Sequence, residues 1–417
     1  MAHKQLDRKV LAWLMILTLA VQPLFTSYAY AQTKAEPDAS QGKDPRVEQA
    51  ANGTVVVNIR TPDNNGLSHN QYRDLQVGSG GIIFNNSANI SNTQLAGYIT
   101  GNSYLGAPAS RILNEVTGSI PTNLNGYLEV AGNRADLIIA NPNGIVGNNF
   151  GFINTNRAVL TTGLPQLQNG NLNGFIVTGG EITIEGSGMD ARGSSKTQIL
   201  ANAVKINAAL HANDLEIITG SNEINYNTDA VTALEQADRG GISLDVAALG
   251  SMYAGRITLV GTRKGLGVNS EGVISAQDIS ITSEGKIQHK SLINADNTVV
   301  IKTASSLDNQ GRIYGDNIAI QADELNNHSL GDAPVIAAHN TLNIGAGTIN
   351  NKENAHLISE GDLNIGGTLD TNNKATGTNS IINNNSATIE ANGNLVITSV
   401  EINNTNEHFS MESVKVD

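Results

Sequence analysis

Apolar residues recur at intervals of about twenty positions through the second half of the chain, and this repeat restricts the folds available to it. Each unit has an apolar residue, then Ala or Gly two positions later, then two apolar residues in alternation, and then a turn. A unit this short cannot bury its own apolar side, but stacked units about 4.8 Å apart bury a continuous core. The repeat therefore predicts a β-solenoid. The marker residues are Met189, Leu210, Met252, Ile274, Ile293, Ile313, Ile336, Ile358 and Ile389, which subtraction places 21, 42, 22, 19, 20, 23, 22 and 31 residues apart.

Two of these spacings are too long for a single unit and indicate insertions. The first insertion lies around residues 221–241 and is predicted to include a short helix at Ala230 to Ala237. The second, Asn372 to Asn385, is rich in Asn and is predicted to be a surface loop. Asn also recurs at the turns of the later units. Stacked Asn side chains can bond to one another along the solenoid axis, but Asn also suits turns for its own conformational reasons, and the sequence leaves both explanations open.

Composition supports a thin core of stacked layers. Aromatic residues make up 4% of the chain and charged residues 15%, and there is no cysteine, so no disulfide can staple the fold. The formal net charge of −13, without a run of Lys and Arg, argues against a nucleic-acid partner. A solenoid also needs its end covered, because an open strand edge pairs with other chains. We expect Asn52 to Gly106 to cap the first end.

The first 31 residues have the pattern of a secretory signal peptide. Lys4, Arg8 and Lys9 precede the uncharged stretch Val10 to Val21, which is short for a membrane span. The small residues of Ala29-Tyr30-Ala31 favour cleavage between Ala31 and Gln32; an uncleaved anchor is the alternative. Residues 32–51 are polar and without periodicity, which predicts a flexible leader.

A strong turn signal stands at Asn141-Pro142-Asn143-Gly144, between an apolar run ending at Ala140 and a second one beginning at Ile145. Pro142 fixes φ for the first central position of a turn, while Asn143 and Gly144 tolerate left-handed conformations. The side chain of Asn141 can close the turn by bonding to nearby backbone.

Around this turn the chain resembles the N-terminal secretion domain of two-partner-secretion exoproteins, the family of filamentous haemagglutinin and of the contact-dependent growth inhibition proteins (CdiA). The resemblance is close from about Ala50 to Gly267 and continues beyond as a repeat style. The motifs that carry it are Ser68-His69-Asn70-Gln71-Tyr72, Asn114-Glu115-Val116-Thr117-Gly118, Gly126 to Gly132, Ala140 to Ile145, Gly151 to Thr155, Asn207 to Ala212 and Ala248 to Ala254.

The resemblance implies an all-β fold, a right-handed parallel β-helix with an N-terminal cap and extra-helical hairpins. It implies a two-partner-secretion domain at 52–267 and haemagglutinin-like repeats at 268–417. It further implies export by the Sec machinery and a TpsB-type outer-membrane β-barrel transporter with POTRA domains, from a Gram-negative bacterium. On the outside, the protein would act as an adhesin or as the stalk of a growth-inhibition toxin, with a host or bacterial surface receptor.

The resemblance also suggests site residues. Asn141, Pro142, Asn143, Gly144 and Ile145 become candidates for transporter recognition or folding nucleation, against the simpler interpretation that they only end a strand. Asn102 and Leu105 are added because the family has a short Asn-Pro-Asn-Leu motif there. Here the proline is missing and Tyr104 replaces the second Asn, which puts that motif's role in doubt. The family-motif residues are His69, Asn70, Asn114 and Glu115. Relatives often carry a cysteine pair soon after Ile145, where this chain has residues 147–150 without cysteine.

The residues give no sign of a catalytic set. The eight histidines are scattered without metal-ligand spacing, so we expect no metal site and no cofactor, and a structural role for His69. Gly78-Ser79-Gly80-Gly81 lacks the lysine and helix of a phosphate loop. The alternative enzymatic hypothesis is a secreted β-helix polysaccharide lyase or hydrolase, which would need carboxylates clustered over successive turns. The acidic residues here are spread singly, so we predict that the chain is not an enzyme.

Overall fold

The computed structural model describes residues 32–234, 242–328 and 331–412, all within one compact unit. The predicted signal peptide lies outside the described residues. Among the described residues, none belongs to a helix long and apolar enough to cross a membrane. The fold is the predicted right-handed parallel β-helix, since most strands join one large sheet in which neighbours are parallel and come from successive coils.

The first coils contain thirteen strands and one short 3-10 helix, Ala39–Gln41. The strands are β1 (Lys34–Pro37), β2 (Arg46–Gln49), β3 (Val55–Asn58), β4 (Leu67–Gln76), β5 (Ile82–Asn86), β6 (Ser91–Thr93), β7 (Gly97–Ile99), β8 (Arg111–Val116), β9 (Thr122–Leu124), β10 (Leu128–Gly132), β11 (Ala135–Ala140), β12 (Ile145–Ile153) and β13 (Thr155–Thr161).

The middle of the chain adds coils and an accessory sheet. Its strands are β14 (Leu164–Gln168), β15 (Asn171–Val177), β16 (Glu181–Asp190), β17 (Lys196–Ala201), β18 (Ala203–Ile206), β19 (Ala209–His211), β20 (Asp214–Thr219), β21 (Asn222–Asn225), β22 (Val231–Ala233), β23 (Leu244–Val246), β24 (Ser251–Tyr253), β25 (Arg256–Gly261) and β26 (Leu266–Ser270). We call the solenoid up to β26 the early coils.

From residue 273 the coils become regular, and we call these the late coils. Their strands are β27 (Val273–Ser283), β28 (Lys286–His289), β29 (Leu292–Thr303), β30 (Ser306–Asn309), β31 (Arg312–Asn327), β32 (Val335–Lys352), β33 (His356–Ser359), β34 (Asp362–Gly366), β35 (Thr368–Leu369), β36 (Ala375–Thr376), β37 (Asn379–Asn385), β38 (Thr388–Ala391), β39 (Leu395–Ile397) and β40 (Ser399–Thr405).

Each coil contributes to three parallel ladders, one per side of the solenoid. Ladder A runs from β4 through β8, β11, β13, β17, β20 and β25 to β34 and β39. Ladder B starts at β9 and runs through the first part of β12 to β37 and β40. Ladder C starts at β3 and β5 and runs to β33 and β38. One continuous apolar core fills the space between the ladders.

The marker residues of the repeat stack on one another in ladder C. Leu210 pairs directly with Met252, so the doubled spacing is one coil with an insertion. One marker is wrong by a residue: Ile336 pairs with Leu357, which is fully buried, while Ile358 points away from the core. The two adjacent apolar residues are indistinguishable in the repeat pattern, and only the strand register separates them.

Three accessory elements pack outside the solenoid, and one of them, the antiparallel hairpin β35–β36, belongs to the late coils. An antiparallel sheet of β14, β15, β21 and β22 covers the outer face of ladder A, where Leu113, Ile138 and Val159 meet Phe175 and Tyr226. The hairpin β6–β7 lies over ladder C. The helix predicted at residues 230–237 is wrong, because residues 231–233 form strand β22, which pairs with β21; residues 235–237 lie outside the described part.

Three further expectations need correction. The surface loop predicted at residues 372–385 is wrong over Asn379–Asn385, which is ladder strand β37, because its alternate side chains continue the buried Asn positions of ladder B. The flexible leader predicted at residues 32–51 is also wrong. There β1 pairs antiparallel with β4, and β2 with β3, so these two strands cap the first coil. The segment expected to form the cap, Asn52 to Gly106, instead supplies β3, β4 and β5 to the parallel ladders. All four β2 residues are exposed, so the strand is held in place by backbone hydrogen bonds. Because it has no alternation of apolar and polar residues, the sequence pattern does not predict it.

Candidate functional site

The Asn141 turn joins the end of β11 in ladder A to the start of β12 in ladder B. Asn141 is fully buried. Its Nδ2 donates to the carbonyl of Ile120 and to Oγ1 of Thr122, both at 2.9 Å, and its Oδ1 accepts the backbone N–H of Asn143 at 2.9 Å. One side chain therefore closes its own turn and ties it to the segment entering β9.

The other turn residues contribute a hydrogen bond, a special backbone conformation and buried surface. Asn143 is exposed, and its Nδ2 donates to the carbonyl of Gly118 at 2.8 Å. Gly144 has a φ of +115°, and a Cβ there would lie 2.9 Å from the carbonyl oxygen of Glu181, so glycine is required. Asn143 does not use the left-handed conformation that the sequence allowed it. Pro142 is half-buried, and Ile145 starts the next buried strand.

The Asn102 turn repeats this geometry without the family's proline. Oδ1 of Asn102 accepts the N–H of Tyr104 at 3.1 Å, and its carbonyl accepts the N–H of Leu105 at 3.1 Å. Its Nδ2 donates to the carbonyl of Ile59 at 2.8 Å. Asn102 is fully buried and Leu105 nearly so. The turn survives the substitutions at 103 and 104 because the bonds depend on the Asn102 side chain and on backbone.

The two turns lie at different corners. Asn102 follows ladder C, with Asn85 of β5 as a neighbour at 3.3 Å, whereas Asn141 stands between ladders A and B. The two turns therefore do not form one surface patch that could carry the role in transporter recognition or folding nucleation suggested for both.

Two motif residues meet inside the first coils. Asn70 of β4 pairs in register with Asn114 of β8, and both are fully buried. Asn114 accepts the hydroxyl of Tyr72 at 2.9 Å and donates to the carbonyl of Ile138 at 3.3 Å. Burial raises the pKa of Tyr72 well above its usual range, so the phenol stays protonated as a donor. Oδ1 of Asn70 accepts the N–H of Arg60 at 2.9 Å. These bonds fix the register of the first coils.

The other two motif residues meet on the outer face of the same strands. Nε2 of His69 lies 2.6 Å from Oε2 of Glu115, and Gln71 donates to the same oxygen at 2.9 Å. Burial acts to raise the pKa of Glu115, but the bonds from His69 and Gln71 and the nearby imidazole outweigh it and leave this pKa lowered. Nδ1 of His69 is buried without a hydrogen-bond partner among the described residues. These three side chains link two neighbouring coils through hydrogen bonds, and none of them is a nucleophile.

Residues that the sequence did not single out complete the site. Oγ1 of Thr117 donates to Oδ2 of Asp38 at 2.6 Å, and this bond, with those from Ser40, lowers the pKa of Asp38 to about 2. Asp38 lies between the cap strands β1 and β2, so the cap is tied to the Asn114–Gly118 motif. Thr122 was missed as well, and Thr117 and Gln71 were named only as motif members, without a role. No local signal marks these partners, because each contact joins residues far apart in the chain.

The remaining predictions concern cleavage and metals. Gln32 is exposed and Ala31 lies outside the described residues, so cleavage between them stays a prediction. Residues 32–234, 242–328 and 331–412 contain no group of three or more His, Asp or Glu side chains placed to hold a metal ion. The lyase or hydrolase alternative stays a sequence hypothesis.

Comparisons with known proteins show which family this chain resembles. The family model described as the TPS secretion domain matches residues 31–289. Toxin CdiA of Yersinia pestis is 44% identical over 295 residues, which cover 69% of this chain and 9% of that protein. A tRNA nuclease CdiA of Yersinia mollaretii is 39% identical over 377 residues, covering 87% of this chain and 12% of that protein. The chain thus spans about a tenth of the length of these relatives.

A solved structure agrees with the sequence comparisons. The crystal structure of the filamentous haemagglutinin secretion domain has a TM-score of 0.51 and 25% identity, covering 89% of this chain and 99% of that one. The two chains therefore share the β-helix fold. On the matched family model and these relatives, the chain belongs to the family of two-partner-secretion proteins that carry a TPS secretion domain.

Proposed function

We propose that this chain is the secretion-domain end of a CdiA-like exoprotein, and that its early coils are read by a TpsB-type outer-membrane transporter before they fold. The observation that carries the proposal is the complete burial of Asn141 within bonds that close a corner of the coil. A transporter can contact such a side chain only in the unfolded chain. The same side chain then locks the corner once the coil has formed.

The route that follows is export through the inner membrane by the Sec machinery and capture by the POTRA domains in the periplasm. The chain would then thread outward and fold on the far side. The outer membrane has no ATP supply, so a stack that folds coil by coil outside could bias the movement outward. The absence of cysteine in the whole sequence supports threading, because no disulfide loop can form in the periplasm.

Outside the cell, the solenoid would serve for adhesion or for delivery of a growth-inhibition toxin. The names of the relatives, toxin and tRNA nuclease, describe those proteins, of which this chain matches about a tenth. If the solenoid is an adhesin, this chain alone attaches to cells that carry its receptor. If it is a stalk, attachment requires a further region.

The direct test is transporter-dependent export. The full chain is expressed in a Gram-negative host with and without its cognate transporter, and medium and periplasm are immunoblotted. We expect the protein in the medium only when the transporter is present. Equal export without the transporter would contradict the proposal.

A binding experiment separates the unfolded from the folded form. The chain is diluted from urea onto immobilised POTRA domains, and the same amount of refolded chain is applied in parallel. We expect capture of the freshly diluted chain and much weaker capture of the refolded chain. Equal capture of both would show that the transporter reads a folded surface instead of the buried turn.

A further inference from the structure

A cleft of about 580 Å³ opens between the early coils and the accessory sheet. It lies at the start of ladder A, at the end of the strands opposite to the Asn141 turn. Its solenoid wall comes from consecutive coils: Arg111 opens β8, Asp136 belongs to β11 and is paired with Arg111 in register, and Arg157 belongs to β13. The facing wall is Tyr226 and Asn227, in the turn between β21 and β22 of the accessory sheet. The volume is that of a site for a small ligand.

Three arginines line this cleft in a chain that is acidic as a whole: Arg111, Arg134 and Arg157. Arg157 is compensated, because its guanidinium contacts the carboxylate of Asp229 at 2.5 Å. Arg111 donates to the carbonyl of Asn65 at 2.6 Å, and Arg134 to the carbonyl of Thr155 at 2.8 Å. Within the part of the chain that the structure describes, neither of these two has a carboxylate within ion-pair distance. Their hydrogen bonds to neutral acceptors hold the side chains in place and leave two positive charges uncompensated.

Among the described residues that line the cleft, Asp136 is the one carboxylate, and both of its oxygens accept hydrogen bonds. Oδ2 of Asp136 accepts the hydroxyl of Tyr226 at 2.6 Å, and its Oδ1 accepts Nδ2 of Asn156 at 2.8 Å and the N–H of Arg157 at 3.2 Å. Since both oxygens are already bonded, Asp136 orients the wall and competes little for the free donors of Arg111 and Arg134. Neutral polar groups complete the lining, on Ser110, Asn156 and Asn227.

We propose that this cleft binds a phosphorylated sugar. A phosphomonoester carries close to two negative charges and three acceptor oxygens, which match two guanidinium groups that each retain donors. The neutral side chains beside them suit the hydroxyls of a sugar ring, since Ser110 and Asn156 already donate to Gly66 and Asp136 but keep acceptor oxygens, and Asn227 keeps its amide. The volume accommodates a ring together with its phosphate. The shared chemistry is a phosphomonoester on a sugar, either as a free sugar phosphate or as a terminally phosphorylated unit of a surface polysaccharide. This site does not depend on the proposed transporter, because it forms only in the folded coils.

Arg256 supplies a matched control. It opens β25 at the equivalent position of ladder A, outside the cleft, and it is paired with Asp214 at 3.6 Å. A second kind of variant, Asn227→Asp, adds a carboxylate to the facing wall. The Asn227 side chain makes no hydrogen bond with the described residues, so this change leaves the arginine contacts intact.

The test is isothermal titration of the folded chain with glucose 6-phosphate, glucose, inorganic phosphate and a phosphomannan that carries terminal phosphomonoesters. We expect saturable binding of glucose 6-phosphate that weakens about tenfold in Arg111→Gln and in Arg134→Gln. Asn227→Asp should also weaken binding, and Arg256→Gln should not change it. Binding of the phosphomannan would identify a chain unit as ligand, and its absence beside glucose 6-phosphate binding would identify a free sugar phosphate.

Three results would overturn the proposal. These are no saturable binding of either phosphorylated probe, equal affinity for inorganic phosphate and glucose 6-phosphate, or unchanged affinity in both cleft variants and in Asn227→Asp. Circular dichroism of each variant accompanies the titration, and Asn227→Asp decides the matter if an arginine variant does not fold.

Discussion

The early and late coils have the same three ladders but are held in register by different means. In the early coils the polar contacts differ from one place to the next: Asn102 bonds to Ile59, Asn114 to Tyr72, and Asn141 to Thr122. In the late coils one lock is repeated. Asn309, Asn327, Asn351, Asn384 and Asn404 bond side chain to side chain along ladder B, at 2.8, 2.8, 2.9 and 2.9 Å.

A second row of side chains runs beside the first. Asn326 donates to Asp308, and Asn350, Asn383 and Asn403 each donate to the preceding member of the row, at distances of 2.8 to 3.1 Å. The late coils therefore carry paired Asn ladders, and the explanation of Asn as a mere turn former is insufficient there. The comparison teaches that the early coils specify individual sites, whereas the late coils specify a repeating unit that can be extended.

The accessory sheet is the largest feature of the early coils that the late coils lack, and Phe175→Ala tests whether it belongs to their core. Phe175 is fully buried and contacts the ring of Tyr226, with the two ring centroids 6.2 Å apart. We expect a loss of about 4 kcal/mol in the free energy of unfolding, measured with urea. Leu164→Ala, in the same sheet but half exposed, is the control and should cost less than about 1 kcal/mol. A small effect of Phe175→Ala would show that the sheet is only an appendage.

The Asn ladder of the late coils begins at a histidine, and His289→Asn tests this position. His289 pairs in register with Asn309, and burial lowers its pKa from 6.5 to about 4. The neutral imidazole therefore stabilises the fold fully above pH 6.5, and this contribution is lost as the pH falls towards 4, by up to about 3 kcal/mol. His289→Asn should remove this loss and add a rung to the ladder.

The measurement is the urea-unfolding free energy of both proteins between pH 7 and pH 4. His339→Asn changes an exposed imidazole and should leave the loss in place. An identical pH dependence of the wild type and His289→Asn would refute the assignment.

Asn141→Ala and Asn351→Ala form a matched pair across the two regions. Both residues are fully buried, and each loses several hydrogen bonds on truncation. Each variant leaves buried carbonyl or hydroxyl groups unpaired, so we expect each to lose about 2 kcal/mol in the free energy of unfolding. A much larger loss for one of them would show that the two locks are not equivalent in energy.

The smallest effect is expected at the end of the ladder. Asn404 is exposed and makes one ladder bond, to Asn384, so Asn404→Ala should cost about 0.5 kcal/mol. If Asn404→Ala lowered the free energy of unfolding as much as Asn351→Ala, burial would not explain the contribution of the buried Asn residues of the ladder. The same urea titration provides the measurement.

The sequence predicted those features that depend on local pattern. The twenty-residue repeat indicated the solenoid, and Asn141 to Gly144 indicated a turn with a positive φ at Gly144. What it could not predict depends on register or on distant partners. Leu357 and Ile358 are both apolar, and the pairing of β32 with β33 decides which is buried. The cap strand β2 has no buried side chain, and the contact of Thr117 with Asp38 joins residues 79 positions apart.

The measurement that tests the account most directly is the secreted fraction of Asn141→Ala and Asn351→Ala, with the transporter present. Because the two variants should be equally destabilised, a difference in export reports recognition and not stability. The account predicts that Asn141→Ala accumulates in the periplasm while Asn351→Ala reaches the medium at close to the wild-type level. Equal export of both variants would contradict it and leave Asn141 with only its structural role.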